Sequence, residues 1–423
     1  MFISACVERS NPAQPLRESS TMNSNKISVL HFCNEIVRGG AEQHILTLLC
    51  GLSREYFDLH LVCTPHLAGL LKPDLPGDVE VLPLLFRKPW QVNAALQLAE
   101  ILRSRRVDIV HSHIFYASLL ASPVAWSCSV PIVIETPHVR EYWRRGRLKS
   151  RYVIDRLVGH CVNRYIAVSE ANGRYLAEEK RLPSQKISVI HNGSDLKRFQ
   201  HVRSKSGLRQ KLGFRNDDLI LLVAGRLEPQ KGHSVLLSAL PQIRRDFPNV
   251  HAVFAGEGAL TQQLQRQVEA LSLQGIVDFV GFQSNMEEWF SVADVTVLPS
   301  FYEGLPLSAI ESLAAATPVV ASAVDGTPEI VIHGRTGLTV PPGAPDELAS
   351  AICVLLADPE LRARFGGAGR AWVEEEFSQE KQIKRTEDLY LSSLERVRTE
   401  RLQQMFGSQP VGPREVQLVE KAG

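Results

Sequence analysis

Short apolar runs alternate with amphipathic stretches along most of the chain. Ile27-Ser28-Val29-Leu30-His31-Phe32 predicts a first strand, and a glycine loop leads from it into a helical pattern over 42–52. Similar runs predict strands at 59–63, 79–82, 109–110, 131–134 and 165–168, with helical periodicity between several of them, as at 92–103. Strands that alternate with helices predict a parallel sheet covered on both faces. A polar segment over 195–218, rich in Lys, Arg, Gln and Ser, interrupts the pattern. Leu219-Ile220-Leu221-Leu222-Val223-Ala224 then opens a second series, continued at 250–255, 277–280, 295–298, 318–321 and 337–340. We therefore expect an α/β chain of two doubly wound, Rossmann-like domains, 26–195 and 196–380, facing a central cleft. A long helical pattern follows over 381–405, and we expect it to pack back on the first domain. Residues 1–25 read as a disordered leader and 406–423 as a flexible tail.

Composition narrows this picture. A length of 423 residues is long for one core and suits two domains. A formal charge of +1 excludes a globally basic nucleic-acid binder. Cys6, Cys33, Cys50, Cys63, Cys128, Cys161 and Cys353 are odd in number, scattered and free of CxxC pairs. They predict reduced thiols in a cytoplasmic protein rather than a disulfide framework or a structural zinc site. The start of the chain lacks a basic run followed by an apolar core, so no signal peptide is expected, and Met22 is an alternative start. No run of about 18 apolar residues appears, so no membrane span is expected.

Chemistry concentrates at predicted strand ends. Phe301-Tyr302-Glu303-Gly304-Leu305-Pro306-Leu307-Ser308-Ala309-Ile310-Glu311 follows the strand at 295–298. Pro306 suits a first helical position, and the free N–H groups of that first turn favour an anion. Glu303 precedes the turn, where it can accept bonds from sugar hydroxyls, and Glu311 lies inside the helix. An anionic ligand rich in hydroxyls, such as a nucleotide sugar, uses both features. Gly225-Arg226-Leu227-Glu228-Pro229-Gln230-Lys231-Gly232 places two cations on a strand-to-helix loop, where they can compensate a diphosphate. Gly39-Gly40 permits close backbone approach to phosphate or sugar but does not form a dinucleotide-binding GxGxxG. Gly256-Glu257-Gly258 can border phosphate, and Gly281-Phe282 can flank a nucleobase with backbone groups. His111 and His113 follow a strand, and one of them can reach the cleft, with His138 a competing candidate. No further ligands in the sequence near them support a zinc reading.

Taken together, these residues resemble the family-4 glycosyltransferases of GT-B fold, over nearly all of 26–400. The ordered set is Gly225-Arg226-Leu227 with Lys231-Gly232, Gly256-Glu257-Gly258, Gly281-Phe282, the Glu303/Glu311 pair, Asp325-Gly326-Thr327-Pro328-Glu329, and His333-Gly334 with Thr336-Gly337. The resemblance implies transfer with retention at the donor's anomeric carbon and no essential metal or other cofactor. It implies that Arg226 and Lys231 hold the diphosphate, Glu311 the ribose and Glu303 the donor sugar. It also implies donor contacts from Gly39, Gly40, Gly256, Gly258, Phe282, Gly304, Leu305, Pro306 and Leu307. His113 matches the family's cleft histidine better than His111. Many members read Gly-Gly-Xaa-Pro-Glu where this chain has Asp325 at the first glycine.

The stretch 138–156 carries seven Arg or Lys against two acids, interleaved with Tyr142, Trp143 and Tyr152. Such a stretch predicts peripheral contact with an anionic membrane, on its inner cytoplasmic face, or with a phosphate-bearing lipid acceptor. A nucleotide-sugar donor, preferably UDP-linked with GDP-mannose second, and a glycan or lipid-linked acceptor are the expected partners. Nucleic acid is not expected. The rival readings are an epimerase or phosphorylase of related fold and a non-catalytic nucleotide-sugar-binding protein.

Overall fold

The computed structural model describes residues 26–34, 39–86, 88, 90–142, 144, 152–199 and 205–406. The expected leader and most of the expected tail therefore lie outside the described residues, as do Trp143 and 145–151 of the basic stretch. Ile27–Leu394 forms one compact unit. Beyond it, the end of the last helix carries an exposed pair four residues apart, Arg396 with Glu400.

Within that unit the first half builds a seven-stranded sheet. Its strands are β1 (Ile27–Phe32), β2 (Phe57–Cys63), β3 (Glu80–Pro83), β4 (Ile109–His113), β5 (Ile132–Thr136), β6 (Arg164–Ala167) and β7 (Ile187–Val189). The helices between them are α1 (Gly40–Gly51), α2 (Pro65–Leu71), α3 (Val92–Ser104), α4 (Phe115–Ser127), α5 (Val153–Val158) and α6 (Glu170–Arg174). The spatial order is β3-β2-β1-β4-β5-β6-β7, with every pair parallel. The predicted strands all form. Sequence reading omitted β7, whose three residues are each only half-buried at the sheet edge and carry little apolar signal.

The second half builds a six-stranded sheet from β8 (Leu219–Ala224), β9 (Val250–Ala255), β10 (Val277–Gly281), β11 (Val295–Leu298), β12 (Val319–Ser322) and β13 (Gly337–Val340). Its helices are α7 (Lys205–Lys211), α8 (His233–Asp246), α9 (Thr261–Ala270), α10 (Met286–Val292), α11 (Leu307–Ala314), α12 (Thr327–Ile330), α13 (Pro345–Ala357), α14 (Pro359–Glu376) and α15 (Gln379–Phe406). The order β10-β9-β8-β11-β12-β13 is again wholly parallel. Strands covered on both faces must be largely apolar on both; β8 is a continuous apolar run for that reason, and β11 is broken only by Thr296, whose hydroxyl accepts from Ser312 Oγ at 2.7 Å.

Each sheet has one place where the winding direction reverses: between β1 and β4 in the first, between β8 and β11 in the second. Loops leaving two such strands diverge to opposite faces and open a crevice beyond the strand ends. Gly39 and His113 belong to the first crevice, and Arg226, Lys231 and Glu303 to the second.

The start of α15 lies against the first sheet. Gln382 bonds His44, Glu387 accepts from Ser53 N–H at 2.7 Å, and the Tyr390 hydroxyl lies 2.6 Å from His111 Nδ1.

Candidate active site

The loops after β8 and β11 are tied into one surface. Phe301 N–H donates to Gln230 O at 2.8 Å, and the Gln230 side chain donates back to Tyr302 O at 2.9 Å. Lys231 closes the short 3-10 turn Pro229–Lys231 and reaches Glu303, with Nζ 2.6 Å from Oε1. Ser300 Oγ donates to the same oxygen at 2.7 Å. The Glu303 side chain is only 6% exposed, so this ion pair is little screened by water. Lys231 is thus paired to Glu303 here, whereas sequence reading had it facing a diphosphate alone.

Arg226 is the exposed cation of this surface, and its guanidinium forms no ion pair among the described residues. A Cβ placed on Gly39, the residue capping α1, would stand 3.9 Å from Arg226 Nε. The glycine loop of the first domain and the cation of the second therefore face each other across the cleft. Gly256 and Gly258 lie behind Arg226 and Leu227. A Cβ on Gly256 would stand 2.1 Å from Gly225 O, so packing of the loop backbones already requires glycine there. Phe282 follows β10 and is 65% exposed.

Pro306 differs from expectation. It caps α11, with ψ 111°, and the helix begins at Leu307. Its ring sits one residue earlier than a first helical position, and its carbonyl accepts from Ala309 N–H at 3.1 Å. Leu305 is buried in the core of the second domain, so only its backbone faces the loop, and Leu307 packs against the same core. Gly304 approaches the first domain so closely that a Cβ would lie 1.8 Å from His138 O. Glu311, on α11, accepts from Ser194 Oγ at 3.3 Å. Burial pushes its carboxyl up to about 7, while Arg198 draws it the other way.

The opposite wall is a cluster of five buried imidazoles. His31 and His111 stand on neighbouring strands in register, and β4 runs on through His113 rather than stopping at Val110. His111 has both ring nitrogens engaged, by the Tyr390 hydroxyl and by Thr136 Oγ1 at 2.7 Å. His113 Nε2 lies 3.0 Å from His31 Nδ1, and its Nδ1 lies 3.2 Å from His138 Nε2. A neutral ring with two imidazole partners donates to one and accepts from the other, whereas a charged ring would donate to both. Burial, reinforced by neighbouring imidazoles, holds His113, His111 and His138 well below the usual histidine range. His44, on α1, completes the cluster, with Nδ1 2.8 Å from Asn192 Oδ1.

Ring nitrogens of two trios, His31/His111/His113 and His44/His113/His138, lie within 4.8 Å of one another. This corrects the expectation that no further metal ligands surround His113. The rings come from separate elements, so no spacing in the sequence announces them. Both nitrogens of His113 are already engaged by imidazoles, and the Nε2 atoms of His31 and His44 are buried without a hydrogen-bond partner.

Two carboxylates of the second domain reach the first. Glu329 accepts from the N–H groups of Glu170 and Ala171 at 2.9 and 2.8 Å, and from His191 at 3.1 Å. Asp325 accepts from the Tyr142 hydroxyl through Oδ1 at 3.1 Å and from Glu303 N–H through Oδ2 at 3.0 Å. Sequence reading singled out neither Ser300 nor Tyr142 as part of this site.

The chain matches two family models, one for group 1 glycosyl transferases over residues 204–372 and one for glycosyltransferase family 4 over 38–198. An uncharacterized glycosyltransferase of Methanocaldococcus jannaschii is 30% identical over 70% of this chain and 78% of its own length. The Escherichia coli UDP-Gal:alpha-D-GlcNAc-diphosphoundecaprenol alpha-1,3-galactosyltransferase is 26% identical over 87% of this chain and 97% of its own. The crystal structure of Anabaena Alr3699/HepE in complex with UDP superposes with a TM-score of 0.76 at 21% identity, covering 86% of this chain and all of that one. The fold is GT-B, and this chain belongs to the group 1 (family-4) glycosyltransferases.

Proposed function

We propose that this enzyme transfers a sugar from a UDP-sugar to a glycan or lipid-linked acceptor, with retention of anomeric configuration and without an essential metal. The observation that carries this reading is the Lys231–Glu303–Ser300 cluster at the β8/β11 crevice, with Arg226 beside it facing Gly39. Arg226, Lys231 and the N–H groups at the start of α11 supply positive potential where a diphosphate leaves. The C1–O bond to the β-phosphate breaks, and the acceptor oxygen bonds C1 on the same face. The acceptor's proton passes to a phosphate oxygen of the departing nucleoside diphosphate. Glu303 accepts hydroxyls of the donor sugar, Glu311 those of the ribose, and His113 presents a neutral ring from the opposite wall. The UDP and the diphosphate-lipid acceptor named for the neighbours above agree with this substrate class.

The acceptor side also supports peripheral contact with an anionic membrane. On α5, Val153 and Ile154 at the end of the basic stretch and Leu157 just beyond it are 46, 56 and 52% exposed. Not every cation of the stretch faces outward: Arg144 is buried against Glu141 and Asp155. We place the protein on the cytoplasmic face of the membrane.

The decisive experiment is Glu303→Ala. Transfer is expected to fall by about 10³-fold, in the range seen when one stabilising contact to a transition state is removed, with secondary structure retained by circular dichroism and a lowered melting temperature, because Lys231 loses its partner. Near-normal turnover would overturn the reading. NMR of the first-formed product reads the anomeric configuration, EDTA tests metal independence, and flotation with anionic vesicles tests the membrane contact.

A further inference from the structure

We propose that Asp325 is a positioning residue that couples the loop of Tyr142 to the donor-sugar carboxylate Glu303. The inference rests on the functional reading above for the role of Glu303, and its geometry stands apart from that reading. The Asp325 φ of 43° lies in the left-handed region, where a side chain costs backbone energy. A residue kept there against that cost needs a compensating use of its side chain.

The side chain has two partners, one on each domain. Oδ2 holds the backbone N–H of Glu303 at 3.0 Å, and Oδ1 holds the Tyr142 hydroxyl at 3.1 Å. The Tyr142 ring also lies 4.9 Å, centroid to centroid, from the ring of Tyr302, the residue before Glu303. Two contacts therefore run from Tyr142 to the Tyr302-Glu303 backbone, one by hydrogen bonds and one by ring packing.

The far end of this link is firmly held. Arg140 packs its guanidinium 5.0 Å from the Tyr142 ring centre and pairs with Glu179. Glu141 is buried in an ion cluster with Arg144 and Lys180, at 2.9 Å each, and Asp155 completes the cluster. Tyr142 thus directly follows two anchored residues, Arg140 and Glu141, near the start of the basic, aromatic stretch. A shift of that stretch on engaging the acceptor or its surface would be felt at the peptide N–H of Glu303, beside the reacting sugar. Lys231 and Ser300 fix the Glu303 carboxylate from the other side, so the peptide and the carboxylate are positioned by different domains.

Hydrogen exchange of the Glu303 amide reads the link without any substrate. Asp325→Gly and Tyr142→Phe are each expected to raise that exchange rate at least fivefold. Tyr142→Phe on the Asp325→Gly background is expected to add less than twofold. Asp325→Asn keeps an acceptor for Glu303 N–H and a donor for the Tyr142 oxygen, and is expected to restore exchange to within twofold of the parent. In turnover with UDP-glucose as the donor probe, the first two variants should lower kcat about tenfold and leave KM for the donor within twofold. Equal effects of Tyr142→Phe in both backgrounds, or no change in Glu303 exchange, would overturn the proposal. A silent Tyr142→Phe with an inactive Glu303→Ala would reject the link and keep the functional reading. The expected rises in Glu303 exchange together with an active Glu303→Ala would keep the link and reject the functional reading.

Discussion

The two walls of the cleft bury polar side chains in opposite ways. On the first-domain wall, five imidazoles are buried together, kept neutral, and bonded largely to one another and to Tyr390, Thr136 and Asn192. On the second-domain wall, the buried group is an ion pair, Lys231 with Glu303, beside the exposed guanidinium of Arg226. A neutral wall can pass hydrogen bonds to hydroxyls but does little for a leaving diphosphate, whose charge needs fixed cations and helix N–H groups. On the reading proposed above, charge compensation and the contacts of Glu303 and Glu311 to hydroxyls therefore fall to the β8/β11 side, and the β1/β4 side offers the neutral ring of His113.

The strongest way to break the comparison is to hold the walls apart. A Cβ on Gly304 would stand 1.8 Å from His138 O, and backbone cannot yield as a flexible side chain can. Gly304→Ala is expected to lower turnover by about 100-fold, the cost of a displacement on the order of 1 Å at a reacting centre. Both sheets should keep their secondary structure by circular dichroism. Parental turnover in this variant would mean that catalysis does not need the observed approach.

Acid is the next test, because it charges one wall. Burial lowers His31 from 6.5 to about 3 and His44 from 6.5 to about 4. A histidine depressed in the folded state stabilises the fold above pH 6.5, and this is lost as pH falls toward its folded value. Glu135 and Glu311, raised by burial from 4.5 to about 7, act in the opposite sense and stabilise most below pH 4.5. With six depressed imidazoles, the five of this wall and His233, against three raised carboxyls, Glu135, Glu311 and Asp325, the net expectation is a loss of several kcal/mol between pH 6.5 and 4.5. Each proton that the unfolded chain binds in excess of the folded one costs on the order of 1.4 kcal/mol per pH unit. Urea unfolding at the two pH values measures the loss, and His31→Asn should flatten the slope. A fold equally stable at both would deny that the cluster is held neutral.

These two walls were unequally legible in the sequence. Arg226, Lys231, Glu303 and Glu311 could be named because each stands just after a strong apolar run or within the helix that follows it. The strands themselves were legible for the same reason, since both faces of a parallel sheet are buried. The histidine wall was legible only in part: His111, His113 and His138 could be named as cleft candidates because each stands in or after a predicted strand. His31 lies inside β1 and His44 inside α1, and only the β1–β4 and β4–β5 registers and the turn of α1 bring all five rings together. The pairing of Lys231 with Glu303 was hidden likewise, because 72 residues separate them. Pro306 was displaced by one position, since a proline is sterically acceptable at either a cap or a first turn.

A smaller test addresses what joins the walls. Glu329 spends both oxygens on the N–H groups that begin α6, and one of them also on His191. Glu329→Gln retains one acceptor oxygen and turns an N–H₂ toward a backbone donor. The expected cost is about 0.5–1.5 kcal/mol, the net worth of a hydrogen bond to a partly exposed donor, read by urea unfolding. A cost below about 0.5 kcal/mol, the level of an ordinary surface change, would show that the clamp is dispensable.

The finest distinction lies within the charged wall, between backbone and side-chain contacts. Phe282 is 65% exposed after β10, and Gly281 before it has φ 68°, a conformation glycine adopts freely and alanine does not. If the base is held by backbone groups of this turn, the Phe282 ring matters little and the turn matters more. Phe282→Ala should then change UDP affinity by less than about twofold, well below the 1–3 kcal/mol that stacking on an aromatic ring supplies. Gly281→Ala should weaken UDP about fivefold to tenfold, from the 1–2 kcal/mol that a left-handed residue costs. Isothermal titration with UDP measures both. The reverse order would move base recognition from the turn to the ring, and would add an aromatic surface to a wall otherwise defined by charge.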